Sequence, residues 1–325
     1  MSIMQILDQI KQAQKTLSKD KDFVKTPLVK SKVLSKLIDA EVFYKREDMQ
    51  KGGSFKIRGA IFSISQLTAK QKRKGLLAAS AGNHGIAVAI AAKKYKCKAT
   101  IVVPITASKT KIKNIRKFGG KFVKLIKHGS FCGDAEKYGR ELEKQTGKSY
   151  IANYNDFNVV AGQGTIGLEL LKQLPNADFV FIPFGGGGLI SGVSVALKES
   201  GSKAKIIAVQ PEVAPYYPEG LKAGKFIDLP NIESIADALT GDLEDSITFD
   251  IAKKYVSDCI LVSEAEIKNA IKLFYKEFKS PIEGSAAVTI AAVLKWKDKL
   301  KNKKVVAIIS GQNIDKTLLN RITKG

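Results

Sequence analysis

The segment FVFIPFGGGGLISGVSVALKE, residues 179–199, joins a β-strand pattern to an apolar helical pattern through four consecutive glycines. A strand that leads into a helix through a short loop is the repeating unit of α/β proteins, whose parallel sheets carry helices on both faces. Similar units recur from residue 41 onward, including EVFYKRE before a helix at 54–67 and GLLAAS before NHGIAVAIAAKKY. The sequence therefore predicts an α/β fold. So many strands require two sheets, and we expect two lobes with the site between them.

The bulk composition limits the possible classes of protein. The chain has 325 residues and a net charge of +23, but its basic residues are spread along the sequence and no zinc-ligand spacing accompanies them. A solvated, lysine-rich surface is the favoured interpretation, with a nucleic-acid-binding protein on a retired enzyme scaffold as the alternative. Three widely spaced cysteines indicate a reducing compartment. No apolar run reaches the length of a membrane span, and the N-terminus lacks a signal-peptide core, so we expect a soluble, cytoplasmic protein.

The glycine-rich loop predicts an anion site. Four glycines destabilise a loop unless their conformational freedom is used, and a helix follows them directly. Backbone N–H groups at a helix N-terminus bind anions, most often phosphate. The loop lacks the lysine–serine pair of a nucleotide P-loop and the G-x-G-x-x-G register of a dinucleotide site. A simple tight turn remains the alternative, although one or two glycines would suffice for it.

Three other segments supply candidate chemistry. GGSFKIRGA at 52–60 places Lys56 between apolar neighbours, where a lysine is disfavoured in its charged form and becomes more nucleophilic. SAGNHG at 80–85 offers polar donors beside a second helix N-terminus, and IISGQN places Ser310 at a strand end. Taken singly, the loop histidine and the serine are ordinary structural residues. Together, a phosphate site, a carboxylate site and a nucleophilic lysine are what a pyridoxal phosphate enzyme requires.

These motifs resemble, in order and spacing, those of the pyridoxal-phosphate-dependent serine/threonine dehydratases, close relatives of serine racemase. The matching motifs are REDMQKGGSFKIRGA, SAGNHG, VVAGQGTIGLELL, PFGGGGLISG and SGQN. The resemblance implies a tryptophan-synthase-β-like fold of two domains, each a mostly parallel sheet flanked by helices, with the active site in the cleft between them. It implies a large cofactor-binding domain at 1–66 and 147–325, a small domain at 67–146, and a homodimer.

The resemblance also assigns roles to residues. It implies that Lys56 forms the Schiff base with pyridoxal 5'-phosphate and removes the Cα proton. It implies that Phe55 packs against the cofactor ring, Asn83 contacts the ring hydroxyl and Ser310 contacts the ring nitrogen. The remaining implied contacts are the phosphate with Gly185, Gly186, Gly187 and Gly188, and the substrate carboxylate with Ser80, Asn83 and His84. The implied reaction converts L-threonine or L-serine to a 2-oxo acid and ammonia.

The sequence departs from its relatives at several positions. Ala81 replaces the serine that racemases place after Ser80, which favours dehydration over racemisation. Gln210 and Tyr216 stand where racemase-like members have a glutamate and an aspartate that bind a divalent cation, so no metal site is expected. IADALTGDLEDSITFD and IEGSAA differ from the usual dehydratase forms, which leaves substrate preference open to a larger or more polar β-hydroxy amino acid. The chain stops soon after SGQN, which argues against feedback by isoleucine.

Three other activities stay open within this family. The first is a racemase with side dehydratase activity, and the second is a dehydratase for another β-hydroxy amino acid. The third is a β-replacement enzyme such as a cysteine synthase, although the full motif set favours the dehydratases. We therefore expect a pyridoxal-phosphate-dependent L-serine/L-threonine ammonia-lyase.

Overall fold

A computed structural model describes residues 2–225, 227, 233–241 and 247–324. These residues form two sheets and fourteen α-helices. The helices are α1 (Ile3–Leu17), α2 (Lys32–Ile38), α3 (Lys56–Gln66), α4 (Ala69–Lys74), α5 (Asn83–Lys94), α6 (Lys109–Gly119), α7 (Cys132–Thr146), α8 (Phe157–Gln173), α9 (Gly188–Lys198), α10 (Tyr216–Ala223), α11 (Ile247–Tyr255), α12 (Glu264–Phe278), α13 (Gly284–Lys295) and α14 (Lys316–Lys324). The strands are β1 (Leu28–Lys30), β2 (Glu41–Arg46), β3 (Leu76–Ala79), β4 (Ala99–Val103), β5 (Val123–Lys127), β6 (Ser149–Tyr150), β7 (Phe179–Pro183), β8 (Lys205–Pro211), β9 (Val256–Val262) and β10 (Lys304–Ile309). None of these helices is long and apolar enough to cross a membrane.

The larger sheet has six strands in the order β1-β2-β10-β7-β8-β9. Its strands are parallel except for the edge strand β1, which runs antiparallel to β2. In the central strand β10, Val305 and Ala307 pack with α12 and α13 on one face. Val306 and Ile308 pack with α9 on the other face. A strand buried on both faces is apolar throughout, which explains the continuous run VVAII.

The smaller sheet has four parallel strands in the order β5-β4-β3-β6. Leu76 and Ala78 of β3 face a core shared with α5, whereas Ala79 faces α7. The two-sheet α/β architecture predicted from the sequence is therefore confirmed. One detail differs: β6 pairs with β3, so the small sheet extends to Tyr150, beyond the domain boundary predicted between residues 146 and 147.

Helix α3 is anchored by a buried network of charges. Arg58 is fully buried and donates from Nε to Glu47 Oε2 at 2.7 Å and from Nη1 to Glu169 Oε1 at 2.8 Å. Lys45, also fully buried, contacts the same Glu169. Buried charges are stable only when paired and hydrogen-bonded, and here each one meets an opposite charge. The network ties the first turn of α3 to β2 and α8.

The start of α3 differs from the predicted helix at 54–67. Ser54 forms an antiparallel bridge with Gly311, and the Phe55 amide donates to the carbonyl of Ser310 at 3.1 Å. These contacts keep Ser54 out of the helix, which begins at Lys56. The first residue of α3 is consequently fixed beside the carboxyl end of β10.

Candidate active site

Lys56 lies at the start of α3 with its amine directed at the segment after β6. Its Nζ donates to the backbone oxygen of Asn153 at 2.8 Å and lies 5.4 Å from the centroid of the Phe55 ring. Burial lowers the pKa of Lys56 to about 8, although the carboxylates of Glu136 and Glu283 favour the charged form. About a tenth of the amine is then neutral at pH 7. A neutral amine can act as a nucleophile or a base.

The loop from Ser80 to Gly85 follows β3 and leads into α5. The Ser80 hydroxyl accepts a hydrogen bond from the Gly82 amide at 3.1 Å, which closes the turn. The first bond along the α5 backbone runs from Ile86 N to Gly82 O. The preceding amides have no acceptor within the helix, as at any helix N-terminus, a position that suits an anion.

The side chain of His84 points inward from this loop. It is 3% exposed, and its Nε2 lies 2.8 Å from the carbonyl oxygen of Ile151. Burial lowers the pKa of His84 to about 3, and the charge of Lys56 adds to the effect. The ring is therefore neutral, with the proton on Nε2. The imidazole holds the loop against the segment after β6, while the His84 backbone N–H stays at the helix N-terminus.

Asn83 is bound by two residues of the larger sheet. Its Nδ2 donates to Glu283 Oε1 at 2.8 Å and to Oε2 at 3.0 Å. Its Oδ1 accepts from Asn313 Nδ2 at 2.7 Å. Burial raises the pKa of Glu283 to about 7 and Asp237 adds to the rise, whereas the Asn83 and Asn313 donors and the charge of Lys111 oppose it.

The glycine loop lies between β7 and α9, and its neighbours leave no room for side chains. A Cβ at Gly186 would stand 2.5 Å from Cε1 of the Tyr154 ring, and one at Gly187 would stand 2.6 Å from Thr248 Oγ1. Gly187 also has φ +83°, which favours glycine. Thr248 Oγ1 donates to the Gly186 carbonyl at 2.8 Å and fixes the loop. The loop thus presents backbone N–H groups at the N-terminus of α9, as an anion cradle does.

Ser310 follows β10 and is 3% exposed. The next residue, Gly311, packs so closely that a Cβ there would stand 2.5 Å from Glu283 Oε1 and 3.2 Å from Asn83 Nδ2. The Ser310 segment, the Asn83 loop and the start of α3 are therefore neighbours. The glycine loop joins them through Tyr154, which follows the lysine-bound Asn153. These contacts bring the segments that carry the predicted site residues together in the cleft between the two sheets. The roles of the individual residues stay predictions.

Five residues of this cleft were not predicted from the sequence: Asn153, Tyr154, Thr248, Glu283 and Asn313. Asn153 and Tyr154 come soon after a strand of a parallel sheet, a position that signals a ligand-binding loop. Glu283 directly precedes an apolar helix, and Asn313 belongs to the SGQN motif. Thr248 has no comparable local signal.

Comparison with known proteins gives consistent matches over almost the whole chain. Residues 20–311 match the model of the family described as pyridoxal-phosphate dependent enzyme. An L-threonine ammonia-lyase from Thermotoga maritima is 41% identical over 317 residues, which cover 97% of this chain and 77% of the relative. The matches include both proteins named as threonine ammonia-lyases and proteins named as serine racemases.

Two solved structures superpose closely on this one. A threonine deaminase isoform 2 from Solanum lycopersicum has a TM-score of 0.89 at 35% identity and covers 98% of this chain and 93% of its own. Maize serine racemase has a TM-score of 0.90 at 35% identity, with coverage of 97% and 95%. These similarities confirm the tryptophan-synthase-β-like fold predicted from the sequence motifs.

Proposed function

Since the chain belongs to the family of pyridoxal-phosphate-dependent enzymes, we propose that it is an ammonia-lyase that converts L-threonine, L-serine or both to a 2-oxo acid and ammonia. The observation that supports this most is the position of Lys56. Its partly neutral amine shares a cleft with a glycine loop that is shaped for an anion. The relatives named as threonine ammonia-lyase and threonine deaminase support the choice of reaction.

The residues of the cleft fit pyridoxal phosphate. The glycine loop carries no side chains that would cover its backbone amides, and it leads directly into the N-terminus of α9, a position that suits a phosphate. Lys56 supplies an amine of lowered pKa, and Ser310 supplies a neutral hydroxyl at the end of β10. When bound, the cofactor supplies an electron-withdrawing ring that makes the Cα proton of an amino acid acidic.

The chain's own residues would then divide the work. Lys56 Nζ would hold the cofactor at its aldehyde carbon and, once displaced by the substrate amine, take the Cα proton. Phe55 would pack against the ring, Asn83 would orient the ring hydroxyl, and Ser310 would contact the ring nitrogen. The remaining binding residues are Gly185, Gly186, Gly187 and Gly188 for the phosphate, with Ser80, Asn83 and His84 for the substrate carboxylate. His84 would act there through its backbone N–H, because its ring is bound to Ile151.

Ala81 favours dehydration over racemisation. Its side chain is a buried methyl group beside Ser80 and carries no proton to deliver. A racemase needs an acid/base group on each face of the substrate. Serine racemase remains the alternative, because maize serine racemase superposes as well as the threonine deaminase does. Chiral analysis of the serine recovered after partial turnover of L-serine separates the two activities, because a lyase leaves only the L-enantiomer whereas a racemase also forms D-serine.

We further propose that no divalent cation binds near Gln210. Its Nε2 donates to the Phe184 carbonyl at 2.9 Å and its Oε1 accepts from the Tyr217 amide at 2.9 Å, so both ends of the amide are used. The Tyr216 hydroxyl donates to the Thr240 carbonyl at 3.2 Å. The neutral side chains of Gln210 and Tyr216 thus hold this segment through direct hydrogen bonds, without an anionic ligand for a cation. Activity unchanged by a chelator and by added magnesium or calcium is the expected result.

The assembly and location of the protein are also proposals. We propose a homodimer in the cytoplasm, in keeping with the resemblance to serine/threonine dehydratases. Light scattering of the purified protein would give the mass of two chains. We also propose the two domains that the resemblance implies, a large cofactor-binding domain at 1–66 and 147–325 and a small domain at 67–146.

Release of a 2-oxo acid from a panel of L- and D-β-hydroxy amino acids tests the function. Wild type, Lys56→Ala and the control Lys36→Ala, which changes an exposed lysine of α2, are compared with added pyridoxal phosphate. We expect product from L-threonine or L-serine with wild type and Lys36→Ala only. A larger or more polar substrate ranking first would assign the enzyme to another β-hydroxy amino acid. No product from any member would refute the lyase proposal.

A further inference from the structure

A hydrogen-bonded cluster around Asn83 joins the two sheets across the cleft. Asn83 begins α5, which packs on the four-stranded sheet. Glu283 precedes α13 and Asn313 follows β10, and both of these elements belong to the six-stranded sheet side. Asn83 and Glu283 are 200 positions apart in sequence. The cluster therefore exists only when the two units are correctly placed.

The cluster fixes the direction of the Asn83 amide. Glu283 accepts from Asn83 Nδ2 at both oxygens, and Oε2 also accepts from the Asn313 amide at 3.2 Å. Asn313 Nδ2 donates to Asn83 Oδ1 and to the Gly52 carbonyl at 2.8 Å. Because a carboxylate only accepts and the Asn313 amide group only donates, Asn83 has one favourable orientation.

The hydrogen-bond partners of the Glu283 carboxylate match only its ionised form. Its carboxylate contacts in the described part of the chain are N–H donors from Asn83 and Asn313. A proton on the carboxyl group would place an O–H against one of these donors and remove an acceptor. Gly311 packs against the same carboxylate, which leaves it little room to turn away. Protonation would consequently loosen the hold on Asn83.

We propose that ionised Glu283 is a positioning residue, which orients Asn83 and ties the start of α5 to the larger sheet in the arrangement that binds pyridoxal phosphate. Glu283 acts through Asn83 and takes no part in bond making. The inference rests on the proposed function, because it assigns Asn83 to the cofactor. It goes beyond that function by naming Glu283 as the group whose protonation weakens the contact between the two units at Asn83.

Three charged groups on the elements around Glu283 set the pH at which Glu283 takes up a proton. Asp237 begins the short 3-10 helix Asp237–Leu239, Lys111 comes from α6, and Lys56 comes from α3. Lys111 Nζ and Asp237 Oδ2 form an ion pair at 2.9 Å. With its pKa raised to about 7, Glu283 takes up a proton as the pH falls through 7. Cofactor affinity should then fall with it.

The experiment is a titration of apoenzyme with pyridoxal phosphate from roughly pH 5.5 to 8.5, followed by absorbance. Wild type is compared with Glu283→Gln, which keeps an acceptor oxygen but cannot ionise. The ratio of their dissociation constants removes the titration of the phosphate, which both proteins share. The Lys56 amine is titrated separately in each protein, because loss of the Glu283 charge lowers the pKa of Lys56. We expect the wild-type advantage to shrink by about tenfold per pH unit below 7 until the two proteins bind alike.

Two further variants make the test specific. Asp237→Asn removes a like charge, so Glu283 should ionise more easily. The pH midpoint of cofactor binding in this variant should therefore lie below that of wild type. Lys111→Met removes an opposite charge, so the midpoint should move up. Both variants break the same ion pair, so a purely structural effect of that pair would move the midpoint in the same direction.

Opposite shifts support the proposal. An acid limb that persists unchanged in Glu283→Gln, or equal shifts in the other two variants, overturns it. If Glu283→Gln does not fold, as judged by thermal unfolding of the apoenzyme, the Asp237→Asn and Lys111→Met pair still decides. Because the titration contains no substrate, a protein that binds cofactor with this pH dependence but releases no oxo acid would refute only the lyase proposal.

Discussion

Replacing Gly186 by alanine should weaken cofactor binding through a clash that the structure locates. The added Cβ would stand 2.5 Å from Cε1 of Tyr154 and closer still to the neighbouring ring atoms. Ordinary carbon contacts begin near 3.5 Å, so the loop or the ring must move by about 1 Å. Overpacking of this kind costs about 1–3 kcal/mol. If the strain falls on the cofactor-binding position of the loop, the dissociation constant for pyridoxal phosphate rises about 5- to 150-fold.

Absorbance titration of the apoenzyme measures this change, and thermal unfolding shows whether the fold survives. Gly241→Ala is the matched control, because among the described residues no heavy atom beyond its chain neighbours lies within 4 Å of the position of its Cβ. Removing the ring in a Gly186→Ala, Tyr154→Ala double variant should restore affinity to that of Tyr154→Ala alone. Affinity and melting temperature within error of wild type for Gly186→Ala would falsify the idea that the loop is a close-fitting cradle.

Three other predictions follow from single contacts. Arg58→Met leaves two buried carboxylates short of a partner, so it should lower the free energy of unfolding, measured in urea, by about 3–5 kcal/mol. The control Lys30→Met, which breaks an exposed ion pair, should lower it by at most about 1 kcal/mol. Equal losses in the two variants would contradict this. The rate of reductive methylation of Lys56 in the apoenzyme should rise with pH, with a midpoint near pH 8, because only the neutral amine reacts. A midpoint above pH 10 would be evidence against the lowered pKa of Lys56. Ala81→Ser should increase D-serine formation from L-serine, and no increase would remove the argument from Ala81.

The fold could be predicted because its signals are local. Apolar strands such as β10 are buried on both faces, so each shows as a continuous hydrophobic run. The errors come where long-range contacts decide. Ser54 was predicted to be helical but pairs with Gly311, which follows β10 far along the chain. The edge strand β1, only three residues long, was missed.

The candidate site divides in the same way. Lys56 and the four glycines could be predicted, because a lysine among apolar residues and a glycine run are visible in a few consecutive letters. The side chains of Asn153 and Glu283 could not, because they reach the cleft from distant segments. His84 shows a third case. Its contact with the substrate carboxylate stays a prediction, whereas its ring turns inward to Ile151, which a sequence pattern does not specify.

Burial alone does not explain why one lysine of this basic chain is suited to catalysis. Lys45 is fully buried and its pKa is also lowered by burial, yet its Nζ is enclosed by Glu169, Gln173 and the Thr26 carbonyl. Lys56 instead has a partly exposed side chain, and its Nζ donates to neutral oxygen atoms of Asn153. A desolvated amine held by a neutral carbonyl can leave that partner without abandoning a buried charge. The same sequence thus uses one buried lysine to anchor α3 and places the other at the start of that helix, beside neutral partners.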